Sequence, residues 1–216
     1  MKVYKFGGAS VRNAAGVRNL RRIIGQERQL FVIVSAMGKT TNALERVFEA
    51  FRQGDEARAA EHVGSLRAFH AEIIDDLWHG SVRLDSVERL FGELEGDLAT
   101  AAYRPEEAEL WYDRIVAYGE LLSTTIISEY LNRSGLRNRW IDMRRCLRTG
   151  QRHKDAEGDL EASRPLLRAA VAEADADIFV AQGFIGGAPD GSIATLGREG
   201  ADYSAAVAAN LLDAES

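Results

Sequence analysis

The run Leu30 to Ser35 (LFVIVS) is apolar and largely β-branched at consecutive positions, and no other feature constrains the fold as much. A strand with one solvated face alternates apolar and polar residues, so a strand apolar throughout is covered on both faces, as in a parallel sheet. Parallel strands need crossovers, usually helical. The flanking sequence supplies them. Residues 2 to 6 (KVYKF) predict a short strand that stops at Gly7-Gly8, and the segment after Ser10 predicts a helix to about Gly25. LFVIVS empties into the small-residue loop Ala36-Met37-Gly38-Lys39-Thr40-Thr41-Asn42, ahead of a second helical segment. Asn138 to Ile141 and Asp177 to Gln182 (DIFVAQ) predict returns to the sheet, the latter after a helix near Asp159 to Ala174. From about 43 to 132 the chain predicts a mostly helical insertion, with breaks at Gly54, Gly80 and Arg104-Pro105. Two glycine-rich stretches, 183 to 191 and 197 to 200, precede an alanine-rich helix from about Ala201 to Asp213. Strands alternating with helices give an α/β layered fold with a mainly parallel sheet.

With 216 residues, 46% of them hydrophobic, the chain can bury a substantial core. A net charge of -6 argues against nucleic acid or an anionic membrane as the main partner, since both favour a basic face. The single cysteine, Cys146, has no partner for an intrachain disulfide and suits a reducing compartment. The N-terminal MKVYKFGG is too short for a signal-peptide core, and no apolar run reaches the length of a spanning helix. The expectation is a soluble, cytoplasmic protein.

Ligands of parallel sheets sit beyond the carboxyl ends of the strands, so loops at Gly7, Ser35, Gln182 and Gly197 can converge on one site. In Lys5-Phe6-Gly7-Gly8-Ala9-Ser10, a cation at a strand end precedes two residues without a Cβ. That arrangement admits a phosphate to backbone amides beside a helix start, and it is also an ordinary tight strand-to-helix turn. The GxxxxGK[ST] phosphate loop is absent. Thr41 or Asn42 can bond a substrate or cap the next helix. Glu120, in YGELLS, lies amid apolar helical residues and is either an exposed helix residue or a buried acid awaiting an ammonium. Arg198, inside TLGREGADYS, can clamp a carboxylate through two parallel hydrogen bonds. Asp202 is either a cap or first-turn acid, or an organiser of groups around a reacting oxygen.

Each motif alone is weak, but KFGGAS, VSAMGKTTN, YGELLS, WIDMRR, QGFIGG and TLGREGADYSAA in this order resemble the aspartokinase family, within the amino acid kinases of the carbamate-kinase fold. The resemblance spans essentially the whole chain. It implies a three-layer αβα sandwich, incomplete here. Residues 1 to 216 would form the N-terminal portion of the catalytic domain, without the nucleotide-binding C-terminal part and the regulatory ACT domains. It further implies phosphoryl transfer from ATP, with Mg²⁺, to the β-carboxylate of L-aspartate, the first step toward lysine, threonine and methionine. By that resemblance Lys5, Phe6, Gly7 and Gly8 approach the ATP phosphates, and Lys5 and Asp202 act at the transferring group. Thr41, Glu120, Arg198, Glu199, Gly200 and Ala201 fall at substrate positions, with Arg198 on the α-carboxylate and Glu120 on the ammonium.

The sequence departs from the family pattern at three places: Ala9 stands where threonine is usual, Ala201 where serine is usual and Glu199 where glycine is frequent. Each lost hydrogen bond would cost roughly 0.5 to 1.5 kcal/mol. The implied partners are L-aspartate and ATP, with a homodimer as a common family assembly and no nucleic acid or membrane. The expected activity of the isolated chain is low. The alternatives are another amino acid kinase or a non-catalytic aspartate-binding or regulatory paralogue.

Overall fold

The computed structural model describes residues 1 to 80, 82 to 197 and 200 to 215. Strand β1 (Lys2–Phe6) leads through the glycine turn to helix α1 (Ala14–Ile24), and β2 (Leu30–Val34) follows. Helices α2 (Thr40–Arg52), α3 (Glu56–Trp78), α4 (Asp85–Thr100), α5 (Ala108–Val116) and α6 (Tyr118–Arg133) come next, with a 3-10 turn at Pro105–Glu107. Then come β3 (Arg139–Ile141), the short α7 (Met143–Cys146), α8 (Leu160–Ala172), β4 (Ile178–Gln182), β5 (Ile185–Gly187), β6 (Ile193–Thr195) and α9 (Gly200–Leu211).

The main sheet has the order β1-β2-β4-β3 and every pairing in it is parallel. All five residues of β2 are buried, as its apolar run requires. Its side chains divide by the period of two expected of a pleated strand. Leu30, Val32 and Val34 join the core containing Val17, Leu20 and Ile24 of α1 and Leu121, Leu122 and Ile126 of α6. Phe31 and Ile33 join the core containing Leu167 of α8 and Val207, Ala208 and Leu211 of α9. The molecule is thus helix, sheet, helix in three layers, the α/β architecture expected from the strand pattern.

Residues 40 to 133 are almost entirely helical, and α6 packs directly on β2, β3 and β4. The breaks fall near the expected positions. Gly54 has φ +68° between α2 and α3, and His79, with φ 57°, ends α3 in the left-handed conformation just before Gly80. One element differs from expectation: the glycine-rich stretch after β4 is not a loop but the antiparallel hairpin β5–β6. Glycine is required at its base, because a Cβ on Gly187 would lie 2.1 Å from the Arg144 carbonyl oxygen. No helix is long and apolar enough to cross a membrane among the described residues.

Candidate active site

The carboxyl ends of β1 and β2 are joined by backbone hydrogen bonds beyond the sheet. Ser35 N–H donates to the Phe6 carbonyl (3.0 Å), and Gly38 N–H donates to the Gly8 carbonyl (3.0 Å). A Cβ on Gly8 would fall 2.6 Å from the Ala36 carbonyl oxygen, so only glycine lets the two loops close on each other. Helix α1 starts later than the expected position just after Ser10. Its N-cap is Asn13, whose side chain accepts from Gly16 N–H (2.9 Å). A phosphate reading here therefore rests on Lys5 and the glycine turn rather than on a helix end abutting it.

Lys5 Nζ lies 3.0 Å from Asp202 Oδ1, so the end of β1 is tied to the first turn of α9. This acid sits where the helix dipole favours negative charge. Close packing sets the position of α9. A Cβ on Gly200 would lie 2.7 Å from the Phe184 ring, and one on Gly183 would lie 2.7 Å from the Ala201 methyl. Ser204 adds a polar pin, accepting from Phe184 N–H (2.9 Å) and donating to the Gly200 carbonyl (2.7 Å). Arg198 and Glu199 lie outside the described residues.

Glu120 stands in the first turn of α6 and is 3% exposed, which decides between its two readings in favour of the buried acid. Its Oε1 accepts from Ala36 N–H (3.1 Å), while Oε2 has no partner among the described residues. Burial pushes its carboxyl up to about 8, and the Ala36 bond opposes this only in part. Beneath it, Thr124 is bonded as fully as one hydroxyl allows. It donates to the Glu120 carbonyl (2.7 Å) and accepts from Trp140 Nε1 (2.9 Å) and Gln182 Nε2 (2.9 Å). Gln182 in turn accepts from Met143 N–H (2.9 Å), so β3, β4 and α6 support the acid together.

Thr41 and Asn42 do not cap α2. The helix begins at Thr40 behind Lys39, which makes no side-chain cap, and Thr41 is half-buried within the first turn. The neighbouring Thr40 was not singled out by sequence. It is 1% exposed, its hydroxyl has no partner among the described residues, and its methyl lies 3.4 Å from where a Gly119 Cβ would stand. Asp113 was also missed. It is fully buried and binds Thr195, His153 and Lys154. No local signal marks it, because its partners His153, Lys154 and Thr195 lie 40, 41 and 82 residues away in sequence. Cys146 is buried with its thiol pushed up to about 11, inert as its apolar setting implies.

The parallel sheet therefore brings Lys5, the glycine turn, Asp202 and Glu120 to its carboxyl end. It supplies a cation and a buried acid with one oxygen that has no partner among the described residues. That pairing suits a ligand carrying both an ammonium and anionic groups.

Known proteins resemble this chain in sequence and in fold. The lysine-sensitive aspartokinase 3 of Escherichia coli (strain K12) is 31% identical over 214 residues, covering 98% of this chain and 46% of its own. The aspartokinase of Chlamydia muridarum is 28% identical, with the same coverage. The chain thus spans about half the length of these curated relatives. The solved structure of E. coli aspartokinase III in complex with aspartate and ADP superposes with a TM-score of 0.85 at 30% identity, covering 99% of this chain and 47% of that one. The aspartate kinase of Clostridium acetobutylicum superposes at 0.81 with 20% identity, which speaks for the fold alone. The model of the amino acid kinase family matches residues 1 to 216, and the chain belongs to that family.

Proposed function

We propose that this chain carries the aspartate site and the phosphate grip of an aspartate kinase, which transfers the γ-phosphoryl of MgATP to the β-carboxylate of L-aspartate. The observation that carries the reading is Glu120, a buried carboxyl group with one oxygen unpartnered among the described residues, at the same sheet end as Lys5 and the glycine turn. A buried acid without a partner is costly, and a substrate ammonium supplies the missing one.

In the reaction an oxygen of the β-carboxylate forms the new bond to the γ-phosphorus while the bond to the β,γ-bridging oxygen breaks, and its electron pair leaves on ADP. A carboxylate is already nucleophilic at pH 7, so no general base is needed and no proton moves. The obstacle is bringing one anion to another, which positioning and charge neutralisation overcome. Lys5 neutralises the transferring group, and Asp202 holds the Lys5 ammonium in place. Phe6, Gly7 and Gly8 line the approach of the phosphates. Glu120 receives the α-ammonium, Arg198 the α-carboxylate, and Thr41, Glu199, Gly200 and Ala201 complete the substrate wall. Mg²⁺ would shield the triphosphate. The described residues contain no cluster of three His, Cys, Asp or Glu that fits a metal, so no step is assigned to it. A cytoplasmic homodimer is the proposed setting, read by sedimentation.

The test is calorimetric. L-aspartate should bind and L-glutamate should bind far more weakly, and Glu120→Gln should weaken aspartate about 10- to 100-fold, the range for a hydrogen bond to a charged group. Equal affinity for both amino acids, or unchanged affinity in Glu120→Gln, rejects the reading.

A further inference from the structure

Asp113, on α5, is fully buried in a part of the molecule that makes no contact with Lys5 or Glu120 through any hydrogen bond described above. Three donors from two distant segments converge on it. The Thr195 hydroxyl donates to Oδ1, and His153 Nδ1 and Lys154 N–H each donate to Oδ2 at 2.9 Å. A carboxylate only accepts, so the proton of that hydrogen bond is on His153 Nδ1.

Each donor belongs to something that borders the substrate loop. Thr195 ends β6, two residues before Gly197 and five before the start of α9. Its carbonyl accepts from Ala156 N–H (2.9 Å), and Leu196 N–H continues to the Phe184 carbonyl (2.9 Å). Gly197 has φ +74°, and a Cβ there would lie 2.4 Å from Asp155 Oδ1. The segment that Asp113 holds by His153 and Lys154 is therefore the wall against which Gly197 turns. One carboxylate fixes both the strand that delivers the loop and the surface that shapes it.

We propose that Asp113 is a positioning residue for the reaction. Through Thr195 and the 153 to 156 segment, it fixes the end of β6 and the turn at Gly197, ahead of Asp202 on α9, and so the surroundings in which the ligand is met. This rests on the aspartate kinase reading above. Asparagine would not serve as well, because its amide would turn one acceptor into a donor facing donors.

The test uses the chain as it stands, with Thr195→Val to remove only the hydroxyl, Thr195→Ser to restore it, and Asp113→Asn as a second variant should Thr195→Val fail to fold. Aspartate affinity is measured by calorimetry and backbone amide exchange by mass spectrometry. Thr195→Val should weaken aspartate about tenfold and speed exchange in peptides covering 196 to 204, with β1 and β2 unchanged and Thr195→Ser close to wild type. Two results overturn the proposal: valine and serine variants alike in both readouts, or exchange rising equally along the whole chain, the mark of a merely structural pin. Absence of aspartate binding in the wild type would reject the kinase reading instead. The exchange pattern then decides alone, a local rise supporting the positioning role and no rise refuting it.

Discussion

Glu120 and His70 are both buried, and they drive stability in opposite directions with pH. The Glu120 carboxyl is raised to about 8 by desolvation, against an ordinary value of 4.5. Its folded form holds a proton that the unfolded form has lost, so its contribution is complete below about 4.5 and declines as pH rises toward 8. His70 is lowered to about 4 from 6.5 by desolvation, so its contribution is complete above 6.5 and lost as pH falls toward 4. The two slopes oppose each other between about 4.5 and 6.5, and above 6.5 only Glu120 acts. Urea unfolding of the unliganded chain should therefore show stability falling between pH 6.5 and 8, and Glu120→Gln should flatten that limb. A ligand ammonium beside Glu120 favours the carboxylate, so aspartate binding at pH 7 should release about one proton. Calorimetry in two buffers of different ionisation enthalpy reads this directly, and identical enthalpies in both would contradict it. Sequence showed Glu120 as an acid among apolar residues, but its burial depends on Gly119 meeting the β2–α2 loop, a contact between segments 84 residues apart.

The elements legible in sequence were those with a strong local signature. Leu30 to Val34 of LFVIVS became a wholly buried strand, and Gly54 and Pro105 marked real breaks. The junction of α5 and α6 was not legible, because Ala117 keeps right-handed helical angles (φ -59°, ψ -25°) and needs no glycine or proline. Hairpin β5–β6 was missed for the opposite reason: its strands are three residues long, and Gly186 and Gly187 read as loop. The start of α6 is the element on which the site depends most. A Cβ on Gly119 would lie 2.8 Å from the Ala36 Cβ. Gly119→Ala should cost about 1 to 3 kcal/mol, seen as a lower urea midpoint, and weaken aspartate binding by displacing Glu120. An unchanged midpoint would show that the loop yields freely. In β2, Phe31→Ala opens the α8/α9 core and should cost about 3 to 5 kcal/mol by the same measurement.

For the whole molecule, the site is assembled from segments that are far apart in sequence, so sequence named several members without being able to show their meeting. Lys5 and Asp202 are nearly the full chain apart, yet lie 3.0 Å from each other. Thr40 and Asp113 escaped notice because their meaning is a missing or a distant partner, and neither is a local property. A ligand held by so many elements should stabilise them together. At free aspartate 100-fold above its dissociation constant, the linkage gain is about 2.7 kcal/mol. Thermal unfolding should rise by several degrees with L-aspartate and not with L-glutamate. The sheet order carries a further consequence, for synthesis. β2 pairs with β1 just upstream on one side, but on the other with β4, about 150 residues later. At about 5 to 20 residues per second, the apolar edge LFVIV leaves the ribosome roughly 7 to 30 s before its second neighbour exists. During that interval an unpaired strand flank is open to other nascent chains, which makes β2 the natural place for a chaperone to hold this protein.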